Sequence, residues 1–110
     1  MELKQAIASF SALSQKTRLD VFRLLIKAGS NGLLAGELGE QLDVRQNTMS
    51  ANLTVLLNAG LVRNERQGRT IRYFAELDAM RGLLAFLLED CCGGRPELCQ
   101  PIIDEIACAV

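Results

Sequence analysis

This 110-residue chain contains no histidine. That absence rules out a Cys/His nucleophile and removes the imidazole that zinc sites commonly recruit. There is no Cys-x-x-Cys pair, and Gly93-Gly94 is too short for a phosphate-binding loop, so the usual redox and nucleotide-handling motifs are missing as well. Arsenate-reductase chemistry needs an activated, isolated cysteine in a phosphate-type loop, and no such segment stands out. No apolar run approaches the roughly 20 residues of a membrane span. Met1-Glu2-Leu3-Lys4-Gln5 lacks the basic region and long apolar stretch of a secretory signal. The expected compartment is the cytoplasm, where thiols stay reduced. No internal repeat is present.

Against these absences stands a cluster of thiols. Three of the four cysteines, Cys91, Cys92 and Cys99, fall within the nine residues 91–99. Thiolates prefer soft centres, and three of them without imidazole favour a three-coordinate guest such as trivalent arsenic or antimony. Cys91 lies on the stripe Met80, Leu83, Leu84, Leu87, Leu88, whose spacing predicts an amphipathic helix with the first thiol at its end. Neighbouring helical residues point about 100° apart. Cys92 therefore shares a ligand with Cys91 only if the helix stops, and Gly93, Gly94 and Pro96 supply the break that lets Cys99 return to the pair. Other readings stay open: small buried hydrophobes, a Cys92–Cys99 disulfide, or a structural zinc site completed by Cys108 or a carboxylate. Cys108 itself reads as a packing or incidental thiol.

At 49% hydrophobic residues, positions 1–110 read as one compact domain, small enough for dimerisation to add much of its stability. The net charge of −1 conceals a partition. Residues 1–44 balance. Residues 45–72 carry Arg45, Arg63, Arg66, Arg69 and Arg72 against Glu65 alone, a net of +4, and residues 73–110 carry a net of −5. A local basic patch is what phosphate contact needs, whatever the total.

The pattern along the chain predicts a mainly α fold with a β wing. Helices are expected at about Glu2–Leu13, Lys16–Ala28 closed by Gly29, Ala35–Leu42, and Gln46–Ala59 closed by Gly60. Asp43-Val44-Arg45 has the length of a helix-turn-helix connection. Strands follow at Leu61–Gln67 and Thr70–Leu77 around Gln67-Gly68-Arg69, with Ile71, Tyr73, Ala75 and Leu77 alternating, and then the long helix and a short C-terminal one. In the fourth helix Met49, Leu53, Leu56 and Leu57 share an apolar face. The opposite face carries Asn47, Thr48, Ala51, Val55 and Asn58, with Asn52 and Thr54 at its margins and Ser50 nearer the buried side. Short polar side chains of this kind read base edges in a major groove, and Arg66, Arg69 and Arg72 near the hairpin tip are placed to meet phosphates or a minor groove. A solvated polar stripe and a solvated charged tip are the alternatives.

Three segments together resemble the ArsR/SmtB family of winged helix-turn-helix metalloregulatory repressors, over nearly the whole length. They are Ala12-Leu13-Ser14-Gln15-Lys16-Thr17-Arg18-Leu19; Gln46 to Leu53 continuing through Leu56-Leu57-Asn58-Ala59-Gly60-Leu61-Val62; and Gln67-Gly68-Arg69 with Tyr73. The resemblance implies a homodimer paired through the first and last long helices, bound to inverted-repeat operator DNA and released by its inducer. It puts Gln46, Asn47, Thr48, Ser50, Ala51, Asn52, Arg66, Arg69 and Arg72 on the DNA. Asn52 stands where many members carry histidine. Many arsenical repressors carry Cys-x-Cys in the third helix, but Leu34 to Glu40 contains no thiol here. What remains is similar to the subgroup with an adjacent cysteine pair and a third cysteine beyond the last long helix, which implies that Cys91, Cys92 and Cys99 take trivalent arsenic, with antimonite or methylarsenite as variants. A thiol redox repressor, or a repressor answering another metal on the same fold, is the alternative.

Overall fold

The computed structural model describes residues 1–88 and 96–106. Its elements in chain order are α1 (Leu3–Leu13), α2 (Lys16–Ala28), a 3-10 turn (Gly29–Asn31), β1 (Leu33–Leu34), α3 (Ala35–Leu42), α4 (Gln46–Asn58), β2 (Val62–Gln67), β3 (Thr70–Ala75), α5 (Leu77–Leu87) and α6 (Pro96–Ile106). The fold is a winged helix-turn-helix. Among the described residues no helix is long and apolar enough to cross a membrane.

Local chemistry sets the helix ends. The Gln15 side chain accepts the Arg18 backbone N–H at 2.9 Å and caps α2, which closes at Gly29 with φ +60°. The Glu37 carboxylate reaches back to the Leu34 N–H at 2.8 Å and starts α3. Asp43 ends α3 in the left-handed region at φ +54°, a conformation that Asp tolerates better than most residues, and it turns the chain into α4.

One core holds these elements in place. Val21, Phe22 and Leu25 of α2, Leu38 of α3, Met49, Leu53 and Leu56 of α4, and Leu61, Val62 and Tyr73 at the base of the wing are all buried and packed together. Full burial of such side chains is worth about 1.5–3 kcal/mol each before conformational entropy is charged. The apolar face of α4 is thereby fixed inward and its opposite face outward.

The sheet has the order β1-β3-β2, all antiparallel, with Leu33 opposite Tyr73 and Val62 opposite Ala75. Two expectations need correction here. The second hairpin strand ends at Ala75, not Leu77: Glu76 caps α5, its N–H donating to the Leu61 carbonyl at 2.8 Å, and Leu77 is already helical. The strict alternation also fails, because β3 is the middle strand and both Tyr73 and Phe74 are buried while Ile71 is exposed. The turn is tighter than a three-residue tip, since Gln67 pairs directly with Thr70 around Gly68 at φ +65°. The two-residue β1 gave too short a signal to be read from periodicity.

Candidate nucleic-acid interface

The exposed face of α4 carries Gln46, Asn47, Thr48, Ser50, Ala51, Thr54, Val55 and Asn58. Ser50 was expected nearer the buried side and is in fact exposed. It lines an open groove of about 370 Å³ between α4 and the wing, with Gln46 on one wall and Arg69, Thr70 and Ile71 on the other. Gln46, Ser50 and Arg69 are therefore brought together. Thr54 contributes less polarity than its position suggests, since its hydroxyl donates to the Ser50 carbonyl at 2.9 Å. Asn47 accepts the Thr48 N–H at 2.9 Å, which orients its amide at the start of the helix.

Asn52 leaves the candidate face. It is only 8% exposed, and its Oδ1 accepts a hydrogen bond from Arg18 Nη1 at 3.2 Å, while Arg18 Nε donates to the Ala12 carbonyl at 2.6 Å. One guanidinium thus ties the end of α1 and the start of α2 to the back of α4. Nothing local in the sequence marks this bridge, because Arg18 and Asn52 lie far apart in the chain. Arg18→Ala is expected to cost about 2–3 kcal/mol of stability, the range for a charge-assisted hydrogen bond whose loss leaves a buried acceptor unmet. Urea unfolding reads the loss. Asn52→Ala should lower stability in the same direction and leave preference among DNA sequences unchanged, whereas an altered preference would return Asn52 to the reading set.

The five arginines of residues 45–72 divide into two groups. Arg63 pairs with Glu65 at 2.9 Å and Glu76 at 3.0 Å, and its guanidinium stacks 4.3 Å from the Phe74 ring centre. Arg72 was expected to meet DNA but is turned back: Nε donates to Gln67 Oε1 at 3.0 Å and Nη1 to the Asn31 carbonyl at 3.2 Å, with Glu37 at 3.9 Å. These two brace the wing. Arg66 makes only a long contact to the Gly68 carbonyl at 3.4 Å, and among the described residues the side chains of Arg45 and Arg69 have no hydrogen-bond or ion-pair partner. Arg45, at the N-cap of α4, belongs with the exposed cations beside the recognition face. The basic run of the sequence contained it, but motif matching passed over it.

Cys91, Cys92 and Cys108 lie outside the described residues. Cys99 falls in α6, its side chain outside the description. α5 stops at Leu87 with Leu88 as its cap, short of the position expected for Cys91 at the helix end. Among the described residues no group of three or more Cys, Asp or Glu side chains is arranged to hold a metal ion.

A second helix presented across a tight turn, followed by a two-stranded wing with exposed arginines at its tip, defines a winged helix-turn-helix DNA-binding protein. Residues 13–65 match the family described as a helix-turn-helix domain. The HTH-type transcriptional regulator YbzH of Bacillus subtilis is 30% identical over 95 residues, which cover 76% of this chain and 95% of that one. An ArsR-like transcriptional regulator from Rhodococcus sp. RHA1 has a similar structure, with a TM-score of 0.68 at 28% identity over 97% of this chain and 96% of that one. The transcriptional repressor BigR from Xylella fastidiosa superposes with a TM-score of 0.62 at 28% identity, covering 81% of this chain and 88% of that one. The chain belongs to the helix-turn-helix transcriptional regulators, and its structure is similar to that of an ArsR-like member.

Proposed function

We propose that this regulator is a homodimeric, cytoplasmic repressor that binds operator DNA and lets go when trivalent arsenic is bound by Cys91, Cys92 and Cys99. The observation that carries it is the coexistence, in one chain of this fold, of an open polar face on α4 with three clustered thiols and no histidine. BigR, similar in structure, bears the name of a repressor, which supports that direction of control. Dimerisation is supported by Leu3, Ile7 and Phe10 of α1 and Leu87 of α5, large apolar side chains left exposed on two helices that touch each other.

The donor set suits the inducer. Arsenous acid is uncharged near neutral pH and exchanges three hydroxyls for three thiols, each thiol proton leaving in water. A thiol of ordinary pKa, about 8.5, need not ionise beforehand. Zinc brings no such base and must displace the protons outright. Only modest coupling is required: a 100-fold loss of operator affinity corresponds to about 2.8 kcal/mol of differential binding.

Fluorescence anisotropy of labelled operator across a panel of thiophilic ions tests the proposal, with release expected for trivalent arsenic and antimony but not for zinc. Mass spectrometry separates the redox alternative: arsenite should add one arsenic per subunit, whereas a redox switch treated with peroxide loses two hydrogens. Loss of hydrogens without arsenic uptake, or transcription that rises when the protein is added, overturns the proposal.

On the DNA side, Arg69→Ala and Arg66→Ala should each weaken binding to all sequences and reduce the slope of log affinity against log salt by about one per contact, because each phosphate contact releases a counterion. Arg72→Ala should leave that slope nearly unchanged, since its donors already serve Gln67 and Asn31. Thr48→Ala, on the exposed face, should shift preference among operator variants more than the slope.

A further inference from the structure

A second open groove, of about 790 Å³, runs along the outer side of α2. Leu19 and Ile26 of α2 line it, joined by Leu13 from α1 and Met80 from α5, and Arg23 and Lys27 stand along it as exposed cations. Among the described residues neither cation has a carboxylate partner. Asp20, which also lines the groove, is paired with Lys16 at 2.7 Å, and an apolar channel edged by the remaining positive charge is a half-built interface.

α6 supplies the missing half. It carries Glu97, Asp104 and Glu105 and no basic residue, and its Ile102 and Ile106, one helical turn apart, are 47% and 52% exposed. By helical geometry Glu105 flanks the Ile102–Ile106 stripe, as Arg23 and Lys27 flank Leu19 and Ile26 on α2. Eleven residues of helix are about 16 Å long, enough for these side chains to meet. Among the described residues neither surface is covered: Ile102 and Ile106 of α6 and Leu19 and Ile26 of α2 are all exposed.

We propose that α6 of a second copy of this chain seats its Ile102–Ile106 face in the α2 groove, with Glu105 against Lys27 and Arg23. The groove is walled by Leu13 and Met80, which belong to the same two helices whose exposed apolar residues support dimerisation, so the exchanged α6 extends that seam. The proposal rests on the homodimer of the preceding section. It also gives the helix containing Cys99 a definite station on the partner subunit, so that an event at the thiols moves an interface and not a loose tail.

The test uses unlabelled and nitrogen-15-labelled full-length chains refolded together and treated with a water-soluble carbodiimide, which joins the Lys27 amine to the Glu105 carboxylate as an amide and takes up the elements of water to leave as its urea. Mixed-mass peptides joining Lys27 to Glu105 are expected. Ile102→Asp and Ile106→Asp should each raise the dimer dissociation constant at least about tenfold, as loss of a buried isoleucine at two symmetric sites implies. Lys27→Glu should abolish the link, and carboxylate-to-amine linkage should return when Lys27→Glu is combined with Glu105→Lys. Circular dichroism confirms folding of each variant. A wild-type monomer by light scattering at micromolar concentration sinks the homodimer itself. A dimer that yields only single-mass links, or whose dissociation constant ignores Ile102→Asp, overturns the α6 exchange alone.

Discussion

Gly32→Ala is expected to destabilise the protein by roughly 2–6 kcal/mol, a large part of the ~5–15 kcal/mol that holds a domain folded. Two costs combine. Gly32 sits at φ +60° between the 3-10 turn and β1, where a side chain strains the backbone by about 1–3 kcal/mol. A Cβ there would lie 2.5 Å from the Tyr73 carbonyl oxygen and 2.7 Å from two carbons of the Phe74 ring, and forcing such contacts in a packed region costs about 1–3 kcal/mol more. The clash falls on β3, the middle strand, so both the wing and the core beneath it must shift. Gly36→Ala is the control. It lies in α3 with nothing within 4 Å of its added Cβ and no positive φ, so it should stabilise by about 0.5–1 kcal/mol through helix propensity. Opposite movements of the two urea midpoints check the argument, and equal destabilisation would refute it.

Gly32 also shows where sequence reading stops. The helices were legible because their apolar residues recur at helical spacing and their ends carry local signals: the predicted bounds of the second and third helices, Lys16–Ala28 and Ala35–Leu42, are those observed. β1 was not legible. Two residues have no period, and Leu33 and Leu34 are strand only because β3 offers them a free edge across a long stretch of chain. Leu77 misled for the opposite reason: it continues the alternation of β3 in sequence, yet Glu76 has already turned the backbone into α5.

The candidate interface was legible as a face and illegible in its membership. Burial of Met49, Leu53 and Leu56 fixes which side of α4 is exposed, and that much follows from periodicity. Whether a polar residue at the edge of that face points outward depends on partners from other elements. Arg18 draws Asn52 inward, Asn31 and Gln67 draw Arg72 back, and Glu65 and Glu76 engage Arg63. The charge of +4 over residues 45–72 therefore overstates the cations available to phosphate, which reduce to Arg45, Arg66 and Arg69.

Cys91→Ser, Cys92→Ser and Cys99→Ser are each expected to retain operator affinity and lose release by trivalent arsenic. Serine keeps the size of cysteine but offers a hard hydroxyl, a poor donor to a soft centre, so each change removes one of three ligands. None of the three cysteines is among the candidate DNA-contacting residues of α4 and the wing, which is why affinity without inducer should not move. In the wild type the ratio of operator affinities without and with arsenite should be on the order of 100-fold, within the usual range of coupling between sites. In each variant that ratio should fall to about one, with no loss at zero arsenite, and the two numbers together separate a sensing defect from a folding or DNA-binding defect. Cys108→Ser should respond as the wild type, because three donors already satisfy the centre. The same anisotropy titration decides the matter: abolition of the response by Cys108→Ser alone, or release of DNA by any two of the cluster variants at wild-type arsenite concentrations, would show that the three thiols are not the sensor.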